Sequence, residues 1–132
     1  MKLGYTILYV ADVPAALDHY RDAFDWEVSF LHDSNLYGEI ATGDTVLGFA
    51  AYQMAEMNGV EMRASDPTQS TGPVNITFVT EDVAGHYAQA VANGAVAVKP
   101  PATKPWGQVS GYLRDIDGHL VEIASPIHAR HT

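Results

Sequence analysis

Two stretches decide how this chain is read: Tyr5-Thr-Ile-Leu-Tyr-Val-Ala-Asp-Val13 and, 70 positions later, Asn75-Ile-Thr-Phe-Val-Thr-Glu-Asp-Val83. Each opens with a run of β-branched and aromatic residues and then meets an acidic residue that suits a helix N-cap. A strand running into a capped helix, twice in 132 residues, marks an internal repeat.

The residues after each stretch agree. Val13, Leu17, Tyr20 and Phe24 share one face at a 3.6-residue period, with Asp12 as cap, Pro14 in the first turn and Asp25 at the stop. Val83, Tyr87, Ala90 and Val91 form the second stripe, closed by Asn93-Gly94. Strand-like runs then cover 27–32, 36–42 and 45–52 in the first half, and 95–99, 108–115 and 119–124 in the second. Asp117-Gly118 is a hairpin-turn signal between the last two. The expected fold is α+β: two βαβββ modules, at 1–52 and 74–132, forming a cupped mixed sheet. The stretch 53–73 carries Asn-Gly, Asp-Pro and Gly-Pro and reads as a linker or rim, with a short helix expected near 54–57.

Composition narrows the function classes. With 47% hydrophobic residues the chain has material for one packed domain. Asp plus Glu number 16 against 7 Lys plus Arg, and the resulting formal charge of −9 repels phosphates. Nucleic acid is therefore not an expected partner; the charge favours cationic small molecules or metal ions, although solubility is the commoner reason for such a balance. The absence of cysteine removes disulfides, thiolate zinc sites and a thiol nucleophile. No apolar run reaches the ~20 residues of a membrane span, and the N-terminus lacks the pattern of a signal peptide. A cytoplasmic domain is the expectation.

The repeat, with Asp-Val at each strand–helix junction, resembles the vicinal oxygen chelate superfamily. Its members include glyoxalase I, extradiol dioxygenases, and fosfomycin- and bleomycin-resistance proteins. Two segments carry the likeness. Tyr20-Arg-Asp-Ala-Phe-Asp-Trp26 is similar to the family's first helix end, and Arg114-Asp-Ile-Asp-Gly-His-Leu-Val-Glu-Ile123 to its closing hairpin. The resemblance implies four metal-ligand positions, normally His, Gln or Glu, at the opening and closing strands of each module. Carried over, they fall on Tyr5, Gly48, Asn75 and Glu122. One good ligand does not hold a divalent ion, which needs three or more from the protein. The expectation is no cofactor, with a divalent metal on Glu122 plus His32 or Glu39 as the alternative.

Strand alternation assigns Thr6, Leu8, Val10, Ile76 and Phe78 to the helix side. Tyr5, Ile7, Tyr9, Asn75, Thr77 and Val79 then face the cup, with Gly48 and Ala50 leaving room. Tyrosine suits a surface that is half apolar and half wet, so Tyr5, Tyr9 and Tyr52 are candidate ligand contacts. Alternation leaves the faces of Tyr37, Tyr112, Phe30 and Phe49 open; Tyr112 joins Gly48 and Asn75 among the candidate ligand contacts, and Phe30 and Phe49 are expected in the core. Trp106, in Lys104-Pro-Trp-Gly-Gln108, would either stack on a planar ligand or cap a dimer interface. Glu39 and Glu122 are candidate carboxylates for a cationic ligand, although Glu122 would equally serve as a buried partner of Tyr5 or Asn75. His119 is expected to be structural, Arg114 to brace the hairpin through Asp115 or Asp117, and His19 and His86 to face solvent. His128 and His131 lie in the terminal tail.

The family likeness then implies a homodimeric, metal-free binder of a small planar or cationic molecule, similar to the antibiotic-sequestering bleomycin-resistance proteins. The alternative is a glyoxalase-type lyase or dioxygenase with a non-standard ligand set. A cofactor-free enzyme using Tyr5 or Glu122 as acid or base is a third reading. Whether there is turnover, and of what, is left open at this point.

Overall fold

The computed structural model describes residues 1–127, so His128 and His131 lie outside the described residues. The chain divides into two compact units, Met1–Ser65 and a second that begins at Asp66. The first contains β1 (Tyr5–Val10), α1 (Val13–Phe24), β2 (Glu27–Leu31), β3 (Tyr37–Ala41), β4 (Val46–Ala51) and the short α2 (Tyr52–Met57). The second contains β5 (Asn75–Val79), α3 (Val83–Ala92), β6 (Val96–Thr103), β7 (Val109–Arg114) and β8 (Leu120–Ala124).

The repeat holds at the level of strand order. The first sheet runs β1-β4-β3-β2 and the second β5-β8-β7-β6. In each, the opening strand lies parallel to the closing one and the other pairs are antiparallel. Each module is thus βαβββ, the α+β fold that the sequence indicates.

Local chemistry sets the helix ends. Asp12 Oδ1 accepts from the Ala15 N–H at 3.0 Å, satisfying a donor with no partner inside the helix. Asp25 closes α1 in the left-handed conformation, φ 61°. Asp82 caps α3 through the Gly85 N–H at 3.0 Å. The stripe Val13, Leu17, Tyr20 and Phe24 is buried throughout. Tyr20 packs on Phe49, ring centroids 4.8 Å apart, and Phe49 is fully buried as expected. Burying a side chain of that size contributes about 1.5–3 kcal/mol.

Equivalent glycines let the helices sit close to the sheets. A Cβ at Gly38 would stand 2.7 Å from Leu17 Cδ1, and one at Gly111 would stand 3.1 Å from Tyr87 Cδ2. Both lie at the same register position of their module's third strand, opposite Phe49 and Ile123 respectively.

Four expectations are corrected. Val91 is 40% exposed, because Val83, Tyr87 and Ala90 already complete the buried stripe and Val91 turns a further ~100° away. Phe30 is exposed on β2, the sheet edge, beside a bulge between Val28 and Phe30. His19 is buried rather than solvent-facing. The small side chains of Ala16 and Ala23 widen the buried arc of α1, and its ring lies 5.8 Å from those of Tyr20 and Phe24.

The fourth concerns Arg114, which braces the hairpin but not through Asp115 or Asp117. Its Nε donates to the Gly118 carbonyl at 3.0 Å. Its other nitrogens reach back to the carbonyls of Asp66 (2.7 Å), Pro67 (3.1 Å) and Gln69. A buried guanidinium with its donors fixed in a plane fits converging carbonyls better than one flanking carboxylate. Asp115 instead accepts from the Asp117 and His119 N–H groups and from the His119 ring, so His119 is structural as expected. Among the described residues no helix is long and apolar enough to cross a membrane.

Candidate functional site

In the first module the face of the sheet away from α1 carries a cleft of about 360 Å³. Tyr5, Ile7 and Tyr9 reach it from β1, Tyr37 and Glu39 from β3, and Ala50 from β4. Met54 and Asn58 complete its wall from α2 and the residue just past it. The strands deliver these side chains by alternation: positions two apart share a face, so Tyr5, Ile7 and Tyr9 line up, as do Tyr37 and Glu39. Tyr5 is 60% exposed at the rim, while Tyr9, Tyr37 and Glu39 are half-buried.

The centre of the cleft is a tyrosine–carboxylate couple. The Tyr37 hydroxyl donates to Glu39 Oε2 at 2.7 Å. Burial, and after it the hydrogen bond and negative charge of Glu39, push the Tyr37 phenol far above its ordinary 10.0, so it stays a neutral donor. Gly48 permits this arrangement. It lies opposite Glu39 in the β3–β4 register, and a Cβ there would stand 2.6 Å from the Tyr37 hydroxyl. The room expected at Gly48 is therefore taken by Tyr37.

The second module also sets a tyrosine near a carboxylate, but on neighbouring strands rather than on one. Tyr112 occupies on β7 the place that Glu39 has on β3, and Glu122 on β8 the place of Gly48. Glu122 Oε1 accepts from Thr77 Oγ1 at 2.9 Å and from Asn75 Nδ2 at 3.4 Å. Asn75 Nδ2 also donates to Thr77 Oγ1 at 2.9 Å. Burial first, and then the charge of Glu122, raise the Tyr112 phenol. Lys104 Nζ lies 5.4 Å above the Tyr112 ring, a cation–π distance.

Other candidates sit apart from these clusters. Tyr52 begins α2 and lines a separate depression with Gln53, Glu56, Val60 and Met62. Its hydroxyl accepts from the Ser65 N–H at 3.1 Å. Trp106 is 62% exposed at the tip of the β6–β7 hairpin and donates to Gln108 Oε1 at 3.0 Å. His32 belongs to the turn after β2, where its Nδ1 engages the Ser34 hydroxyl and N–H at 2.8 and 3.0 Å.

Neither module's donor set fits a divalent ion. The first offers the Tyr5 phenol, no side chain at Gly48 and a single carboxylate, Glu39, with one oxygen held by Tyr37. The second offers one carboxylate, already accepting from Thr77 and Asn75, and the Asn75 amide. Among the described residues no three His, Cys, Asp or Glu converge as a metal would require.

Sequence reasoning missed Tyr37 as the partner of Glu39, Thr77 as that of Glu122, and the walls supplied by Met54 and Asn58. Alternation from Gly38, which faces α1, would have placed Tyr37 and Glu39 together. Nothing local marks Met54 and Asn58.

Comparison with known proteins comes to one family. The model of the Glyoxalase/Bleomycin resistance protein/Dioxygenase superfamily matches residues 2–123. No curated protein matches the chain. Among solved structures, a glyoxalase-related enzyme from Fulvimarina pelagi is similar at 23% identity and TM-score 0.82, covering 96% of this chain and 88% of that one. A lactoylglutathione lyase from Agrobacterium tumefaciens is similar at 22% identity and TM-score 0.71, covering 98% and 96%. TioX from Micromonospora sp. ML1 is similar at 22% and 0.66, covering 92% and 98%. At these identities the likeness establishes the fold.

Proposed function

Since the chain belongs to the glyoxalase/bleomycin resistance protein/dioxygenase superfamily, we propose that it binds a small planar or cationic molecule without a tightly bound metal. The observation that carries this reading is the cleft of the first module. A family ligand position is Gly48, its space is filled by the Tyr37 hydroxyl, and tyrosines with one carboxylate line the hollow that remains. Such a surface offers area and orientation to a ligand, with few polar groups to fix it. Selection there acts on affinity alone, as it does for a protein that sequesters an antibiotic or a metabolite. Within the second module, Asn75, Glu122 and Tyr112 are the polar candidates for ligand contact, and Trp106 offers an exposed indole. A cytoplasmic homodimer is part of the same proposal, with a native mass of twice the monomer expected.

The alternative, a metal-dependent lyase or dioxygenase, draws on Glu122, a half-buried carboxylate at a family ligand position. Elemental analysis separates the two readings, using protein purified without chelator or nickel resin. The protein is then incubated with Mn, Fe, Co, Ni and Zn salts and desalted. Retention well below one ion per chain, with Tyr5→Ala weakening binding of planar or cationic probes, is the expected result. Stoichiometric metal that is lost in Glu122→Ala would overturn the metal-free reading.

A further inference from the structure

The cleft that Glu39 shares with three tyrosines has an electrostatic imbalance that specifies a ligand class. Glu39 is half-buried, and no Lys, Arg or His is among the residues that line the cleft. Its Oε2 is held by the Tyr37 hydroxyl at 2.7 Å, while among the described residues no hydrogen bond reaches Oε1. The couple thus holds the carboxylate by one oxygen and leaves the second without a hydrogen-bond partner among the described residues, in a residue that lines the cleft. Tyr37 does not compete for that charge, because it remains a neutral phenol.

The rest of the wall decides what kind of cation fits. Ile7, Ala50 and Met54 are apolar, and Tyr5 and Tyr9 add aromatic surface. A bare ammonium would give up a strong hydration shell for one free carboxylate oxygen, which does not replace it. A cation whose charge is spread beneath methyl groups loses little hydration. It gains dispersion from the aliphatic wall and electrostatic attraction from the electron-rich ring faces.

We infer that the cleft of the first module selects an alkylated ammonium cation, with Glu39 supplying the counter-charge and Tyr5, Tyr9 and Tyr37 the aromatic surround. The inference rests on the cleft being the ligand site and goes further by naming the charge and hydration of the ligand. Gly48 is its structural condition, since any side chain there displaces Tyr37 and releases Glu39.

The test uses the intact protein with 13C-labelled tyrosine rings, titrated by NMR with three probes. Choline carries the cation. 3,3-Dimethylbutan-1-ol has the same shape without the charge, and 2-naphthol is planar and neutral. Saturable choline shifts at Tyr5, Tyr9 and Tyr37 are expected, with the neutral isostere at least about tenfold weaker. Added NaCl should weaken choline alone, because salt screens the charge. Glu39→Gln, which keeps an acceptor for Tyr37, should reduce choline affinity about tenfold and leave the isostere unchanged. Equal binding of choline and its isostere, or choline binding indifferent to both salt and Glu39→Gln, overturns the cation inference. If 2-naphthol alone shifts the tyrosines, the cation falls while the cleft stands as the ligand site. Silence from all three probes at the tyrosine rings brings down both.

Discussion

Replacing Gly48 by alanine tests the reasoning about the cleft most directly. The added Cβ would sit 2.6 Å from the Tyr37 hydroxyl oxygen and 3.1 Å from Cε1 and Cζ of its ring. Comfortable contact is nearer 3.5 Å, so the phenol must withdraw by roughly 1 Å. Its bond to Glu39, 2.7 Å long, then stretches beyond hydrogen-bonding range. A hydrogen bond to a charged acceptor is worth about 1.5–3 kcal/mol. Against this, alanine in a strand gains about 0.5–1 kcal/mol over glycine by restricting the unfolded chain. The net expectation is a loss of about 1–2 kcal/mol in urea unfolding at pH 7. Tyr37→Phe supplies the cross-check. Without its hydroxyl the nearest clash is gone and the bond is already absent, so Gly48→Ala in that background should cost at least about 1 kcal/mol less than in the wild type. A Gly48→Ala protein as stable as the wild type, or one whose loss is the same in the Tyr37→Phe background, would refute the claim that Tyr37 occupies the space at Gly48.

The phenols set the alkaline limit. The Tyr37, Tyr87 and Tyr112 hydroxyls are all raised in the folded protein, with burial the first cause in each case. A group whose folded pKa lies above its unfolded value contributes stability that is complete below the unfolded value, near pH 10. That stability is lost as pH climbs towards the folded value. Urea midpoints should therefore be flat from pH 7 to 9 and fall above pH 10, and Tyr37→Phe should make the fall shallower; an unchanged slope in the variant would show that Tyr37 does not drive it. In the second module, Arg114→Ala removes four charge-assisted bonds to backbone carbonyls, of which those at 66–69 can rewet. A loss of about 3 kcal/mol is expected, with faster proteolytic cleavage near 64–70. Arg114→Lys should recover less than half of it, since one ammonium cannot span the planar fork.

The fold was legible because it rests on signals that neighbours in sequence carry. Asp12 and Asp82 cap the helices where their spacing to Val13 and Val83 places them, and Asp25 and Gly118 adopt the positive φ their positions demand. Alternation along β1 and β5 separates helix-facing from open-face residues as read. The errors arise where an outcome depends on what lies across space. His19 is buried because Ala16 and Ala23 are small. Phe30 is exposed because β2 is an edge, and sheet order cannot be taken from β2 itself. Arg114 ignores the aspartate next to it for carbonyls some 45 residues away.

The site shows the same division. Strand alternation puts Tyr5 and Tyr9 on the open face, whereas Glu39 is a candidate only for its carboxylate, and the couple that gives it its geometry needs the β3–β4 register and the missing side chain of Gly48. The two modules make the point by comparison. In the second, the carboxylate stands on the closing strand at Glu122, with a tyrosine across from it at Tyr112. In the first, the closing strand carries glycine, the carboxylate has crossed to Glu39, and a tyrosine two residues before it, Tyr37, turns into the gap. The glycine leaves space that the Tyr37 phenol occupies, and the phenol donates to the carboxylate of Glu39. On the proposal made above, this exchange would suit the first module to a cation among aromatic rings rather than to a metal ion among carboxylates. It also predicts the order of dependence: remove the space at Gly48 and Tyr37 moves, and only then does Glu39 lose the hydrogen bond that orients it.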